Sequence, residues 1–179
     1  RRKFEKDLEK LIEQGINNLE IPWVDNDNWL DIMSNLKINF PHIHLGSASI
    51  INKKSIDDSL KLGLNFSMMR FWDRNLYLYS KRKNYLLIPG LTNLTHLKEA
   101  IALECKIIKL FPLKDTENSL DITKYNKISF IGAGGLSIND INKSLGLGLK
   151  AIVIGSKGYD GTNIDQKIFE WLKANNLQD

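Results

Sequence analysis

Two ionisable residues stand where a buried strand would carry apolar ones. Lys109 lies in "IIKLFP", between Ile108 and Leu110 and just before Phe111 and Pro112, and Glu20 interrupts "NLEIPW". Burying an ammonium is expensive, and burial drives a lysine toward its neutral amine, which is a nucleophile. A carboxyl group in a similar setting is suited to carrying protons. Strand periodicity puts Ile107, Lys109 and Phe111 on one face of their segment and Asn18, Glu20 and Pro22 on one face of theirs. If both faces point into one interior, the chain holds a candidate nucleophile beside a candidate proton shuttle. A buried ion pair that only fixes register is the simpler structural alternative.

Two glycine-bearing turns offer a second kind of chemistry. In "GAGGLSIND" (132–140), Gly134 and Gly135 would let backbone N–H groups approach an anion. Ser137 there reads as a helix N-cap with Asp140 three residues on, so the positive end of the helix would point the same way. "GSKG" (155–158) adds Gly155 and Ser156. Taken singly, such glycines need only make tight turns; on the last two strands together they favour a phosphate cradle. A dinucleotide fingerprint fits poorly, because G-A-G-G is not G-x-G-x-x-G and no acidic residue ends the next strand, "AIVIG".

Other side chains are less informative. His42 and His44 fall on one face of a strand, but no third ligand is evident for a metal. His96 reads as an early helix residue after a Pro89–Gly90 turn, and the single Cys105 as a small packing residue that excludes an intramolecular disulfide. A reducing cytoplasm is the expected compartment. Net charge is +4, with Lys and Arg spread along the chain except in "RRK" and "KRK", both read as solvated surface. Trp23, Trp29, Trp72 and Trp171 are not interleaved with basic residues, so no nucleic-acid partner is expected. No apolar run approaches the roughly 20 residues that span a bilayer, so no membrane partner is expected either.

The elements that must position these residues recur with a regular beat. Strand-like segments appear at 19–24, 43–48, 66–70, 85–89, 107–111, 128–132 and 151–155, and helical stretches lie between most of them. In "FEKDLEKLIEQG", Phe4, Leu8, Leu11 and Ile12 recur at helical spacing and Gly15 supplies the stop. Alternating strands and helices imply parallel pairing with right-handed crossovers. Seven strands preceded by an unpartnered helix are one short of a (β/α)8 barrel. The expected fold is therefore an α/β TIM barrel whose first strand is missing from the given chain, as one domain over residues 1–179. An open doubly wound sheet is the alternative. In a barrel, active groups sit at the C-terminal strand ends, with phosphate on the loops after strands seven and eight.

The chain resembles the 2-keto-3-deoxy-6-phosphogluconate (KDPG/KHG) aldolase family along nearly its whole length. The resemblance runs through "LIEQGINNLEIPW", "HLGSAS", "LLIPGLT", "IIKLFP", "GAGGLS" and "IGSKG". It implies a trimeric (β/α)8 barrel in which Lys109 is the Schiff-base lysine and Glu20 the acid/base residue. Ser49 stands where a Thr contacts the keto acid, Phe111 lines the site, and Gly134, Gly135, Gly155 and Ser156 fall on the phosphate loops. The family would also have a strand before Arg1. Three positions depart from the pattern. Val24 replaces an Arg four residues after the Glu, Ala133 replaces the Thr before the paired glycines, and "MMRFWD" replaces a Ser-Pro-Gly-like turn after the fourth strand. Arg70, in that stretch, could restore the lost cation by holding a substrate carboxylate, or could pair with Asp73 at the surface.

The implied reaction cleaves a 2-keto-3-deoxy sugar acid, expected to be phosphorylated, to pyruvate and an aldehyde, with no metal or organic cofactor. It needs a perturbed lysine, since an ordinary one is less than about 0.1% neutral at pH 7. The expected partners are a small 2-keto acid substrate and two further copies of the chain in a homotrimer. A barrel that binds a phosphorylated ligand without aldol chemistry stays open as a second class.

Overall fold

The computed structural model describes residues 3–116 and 120–175, so Arg1 and Arg2 of the "RRK" cluster lie outside the described residues. Helix α1 (Lys3–Glu13) buries Leu8 and Ile12 along the expected stripe. It ends where Gly15 takes φ 98°, with the Gly15 N–H donating to Ile12 O and the Ile16 N–H to Leu11 O. Strand β1 (Asn18–Pro22) follows, then α2 (Asp27–Asn39), β2 (His44–Ile50), α3 (Lys53–Lys61), β3 (Phe66–Met69), α4 (Arg74–Arg82) and β4 (Leu87–Ile88). The second half runs β5 (Gly90–Leu91), α5 (Leu94–Ala102), β6 (Ile107–Leu110), α6 (Leu113–Thr116), β7 (Ser129–Gly132), α7 (Ile141–Gly146), β8 (Ala151–Ile152) and α8 (Gln166–Asn175).

Among the described residues every strand-to-strand pairing is parallel, and an isolated bridge between Tyr159 and Ile164 is antiparallel. The strands form two four-stranded sheets in chain order, β1-β2-β3-β4 and β5-β6-β7-β8. A doubly wound sheet requires the strand order to reverse at a switch point, and neither sheet shows a reversal. The expected strand at 85–89 is in fact split. Pro89 has no N–H to give the ladder, and Gly90 resumes pairing, opposite Lys109. Pro89–Gly90 is thus a strand junction rather than the expected turn. Gly90 is required there, because a Cβ would lie 2.2 Å from Arg70 O and 2.7 Å from Met69 O, so only a glycine lets β5 pass the end of β3.

Two other local expectations change. His42 precedes β2 in a turn, with its ring edge-on to Phe40 at 6.3 Å, and only His44 enters the strand. The two histidines are both exposed and do not share a strand face. The helix after Ser137 opens as a 3₁₀ turn over Ile138–Asp140 before the six-residue α7. Asp140 Oδ2 accepts from both the Ser137 N–H and its hydroxyl. Those two bonds hold the turn.

Each sheet carries its own core. One cluster centres on Trp29, Met33, Leu45, Ile56 and Met69, a second on Leu91, Leu97, Ile108, Leu110 and Phe130, and a third, smaller one joins Ile138, Ile164, Ile168 and Leu172, with Leu11 of α1 packed against it. Trp72 and Tyr77 pack against the first two. Cys105 is a buried packing residue of the second cluster. The first half also contains buried hydroxyls. Ser47 Oγ lies 2.7 Å from Ser59 Oγ and 2.6 Å from Ser67 Oγ, and Ser67 Oγ lies 2.9 Å from Tyr85 Oη. Ser59 also donates to Ser55 O, so the chain of hydroxyls ties α3 to β2 and β3 with its polar atoms satisfied. Among the described residues no helix is long and apolar enough to cross a membrane.

Candidate active site

Strand β6 places Lys109 opposite Gly90 on one side and Ile131 on the other. Its flanking residues Ile108 and Leu110 are fully buried, and Lys109 itself is only 6% exposed. Burial pushes its ammonium below the ordinary lysine range; Glu20 opposes that shift and Arg70 adds to it. Strand β1 carries Glu20, whose Oε2 is buried without a hydrogen-bond partner. Burial raises this carboxyl above its usual range, and Lys109 pulls it back. The first and sixth strands therefore bring the candidate nucleophile and the candidate acid within electrostatic reach, each biased toward its neutral form. An amine, once deprotonated, can attack a carbonyl, and a carboxyl group, once protonated, can hand the departing oxygen a proton.

Phe111 follows on the same edge, with its ring centroid 5.7 Å from Lys109 Nζ. Arg70, directly after β3, places its guanidinium carbon 5.8 Å from that ring and 6.0 Å from the ring of Phe71. Asp73, the alternative surface partner for Arg70, instead caps α4 by accepting from the Leu76 N–H. Gly134 joins the group from β7. Its φ of 102° is open to glycine, and a Cβ there would meet Pro112 Cα at 3.0 Å and Phe111 Cδ2 at 3.3 Å.

The remaining expected site residues lie at neighbouring strand ends. Ser49, half-buried at φ 56°, sits where the β2–β3 register shifts. Gly135 (φ 68°) and Gly155 stand apart, since Cβ atoms there would meet nothing within 4 Å, and Ser156 is exposed. Val24 is 50% exposed just beyond β1 and brings no charge to the rim, and Ala133 is buried.

Sequence reasoning missed Phe71. Its ring lies 6.0 Å from that of Phe111, yet it is 56% exposed. The available signal was an aromatic directly after a strand end, on the rim where barrels keep their chemistry. A groove lined by Glu5, Glu9, Ile32, Asn35, Leu36 and Asn39 lies between α1 and α2, on elements that carry none of these residues. Among the described residues no group of three His, Cys, Asp or Glu side chains could hold a metal ion.

A lysine of this kind on strand six of a parallel α/β chain can be set against known proteins. The model of the KDPG and KHG aldolase family matches residues 3–174. The chain belongs to that family. Crystal structures agree on the fold. KDPG aldolase from Legionella pneumophila, with pyruvate captured at low pH as a covalent carbinolamine intermediate, is 20% identical, with a TM-score of 0.80 over 97% of this chain and 89% of that one. The enzyme of Zymomonas mobilis ZM4, with 3-phosphoglycerate, is 19% identical, with a TM-score of 0.78 over 94% and 82%. A phosphoribosylanthranilate isomerase from Thermotoga maritima reaches a TM-score of 0.69 at 12% identity over 97% and 94%, so the architecture alone does not specify aldol chemistry. No match was found among curated protein sequences.

Proposed function

We propose that this member of the KDPG and KHG aldolase family is a class I aldolase that cleaves a 2-keto-3-deoxy sugar acid to pyruvate and an aldehyde. The observation that carries this reading is the buried Lys109 amine beside the unpartnered Glu20 carboxyl oxygen. The Lys109 lone pair attacks C2, and the nitrogen gives up one proton as the carbonyl oxygen gains one, which yields a carbinolamine. Glu20 protonates the departing hydroxyl, so that water leaves and an iminium remains. Loss of the C4 hydroxyl proton breaks C3–C4, releases the aldehyde and sends the electron pair into the iminium as an enamine. Protonation at C3 and hydrolysis then free pyruvate and restore the lysine.

Ser49 and Phe111 are read as contacts to the keto-acid portion. Gly134, Gly135, Gly155 and Ser156 are read as a cradle for a phosphate on the aldehyde portion; the positive φ at the paired glycines and the open space at Gly135 and Gly155 support this. The two sheets are read as one barrel domain. A cytoplasmic homotrimer is the corresponding assembly. A phosphorylated-ligand binder without aldol activity is the second reading, favoured by the uncharged Val24.

Incubation with pyruvate and borohydride tests the proposal. A reduced adduct at Lys109, abolished by Lys109→Ala, is expected. No adduct, or one at Lys106 or Lys114, would overturn the assignment.

A further inference from the structure

An iminium formed on Lys109 from a 2-keto acid places a carboxylate one bond from the carbon that Nζ holds. A nearby cation would hold that carboxylate strongly, and Arg70 is the cationic side chain whose charge Lys109 feels. Arg70 is exposed, and its guanidinium is flanked by two aromatic rings. The guanidinium carbon, the Phe71 ring and the Phe111 ring form a near-equilateral triangle, with separations of 5.8, 6.0 and 6.0 Å and the two rings inclined at 58°. Lys109 Nζ lies 5.7 Å from the same Phe111 ring, so amine and guanidinium share one aromatic neighbour. A guanidinium over aromatic faces keeps its edge N–H donors directed outward, where a planar carboxylate can engage two of them. The backbone is equally constrained, because Arg70 O packs where any Cβ on Gly90 would fall.

We propose that Arg70 is the substrate-carboxylate anchor of this site and that Phe71 is the residue that positions it, so that the pair selects 2-keto acids over uncharged ketones. The inference rests on Lys109 being the imine-forming residue. It differs from a general rim role in one respect. Phe71 carries no charge, yet its loss should weaken recognition of a charged group.

The test is borohydride trapping with two probes, pyruvate and the uncharged hydroxyacetone, each titrated to half-maximal adduct at Lys109. The ratio of the two half-saturating concentrations measures the preference for the carboxylate and cancels changes in lysine reactivity common to both. Arg70→Ala should reduce that preference by roughly tenfold or more, the scale of a lost charged hydrogen bond. Phe71→Ala should reduce it by at least about threefold, and Phe71→Tyr, which keeps a ring, should restore most of it. Arg70→Lys should recover only part, since an ammonium cannot make the bidentate contact. A preference within about twofold of wild type in Arg70→Ala would overturn the anchor. Loss with Arg70→Ala but not with Phe71→Ala would overturn the positioning role. If the wild type gives hydroxyacetone and pyruvate adducts at equal concentrations, the inference fails while the imine reading stands. If it gives no adduct with either probe, both fail together.

Discussion

Lys109 and Glu20 act on each other in opposite senses. Burial holds the lysine below its ordinary range and the carboxyl above its own, and their mutual attraction works against both shifts. Glu20→Gln removes a charge that favours the ammonium, so the lysine should lose its proton at still lower pH. The acid limb of pyruvate trapping at Lys109 is therefore expected to move to lower pH in that variant. Turnover of a cleavable 2-keto acid should fall by roughly 10² to 10⁴, the usual contribution of a positioned proton donor. An acid limb that stays in place, together with unchanged turnover, would reduce Glu20 to packing. The burial of Lys109 was legible because a charge inside an apolar run stands out whatever the tertiary context. Phe71 was not. An aromatic next to a strand reads as core, and only the loop geometry after β3 exposes its ring beside Phe111.

At the scale of elements, the close passage of β5 past the end of β3 depends on Gly90. Gly90→Ala would put a methyl group 2.2 Å from a backbone oxygen that cannot rotate away. Overpacking of this sort costs about 1–3 kcal/mol or more, and denaturant titration should show the midpoint falling accordingly. Unchanged stability would mean that the β3–β5 junction yields more readily than a packed backbone should. The alternation of strand and helix was readable from periodicity, and strand existence agrees at each expected segment. The split at Pro89 escaped because "YLLIP" has the composition of a continuous strand, and only the missing N–H interrupts its ladder. His42 was assigned to a strand face on alternation alone, whereas the preceding Pro41 begins a turn. The buried serines of β2, α3 and β3 carry no signal of their burial in the sequence, since a hydroxyl's burial depends on partners brought from elsewhere in the chain.

At the scale of the molecule, the two sheets, each with its own apolar cluster, meet at Pro89 and across Trp72 and Tyr77. Glu20 belongs to the first sheet and Lys109 to the second. Cooperative opening units often follow such a division. Native-state hydrogen exchange is expected to separate the amides of β1–β4 from those of β6–β8 into two groups with distinct opening free energies. A single group throughout would show that the sheets rise and fall as one. With two groups, reactivity becomes a report on docking. A lysine in the second sheet alone would lose the burial that holds its ammonium below the ordinary range, and the Arg70 guanidinium that adds to it, so it would resemble any other lysine. The nucleophile would then come into existence only when the halves close, and a half-assembled chain would carry no reactive amine to be modified by stray carbonyl compounds.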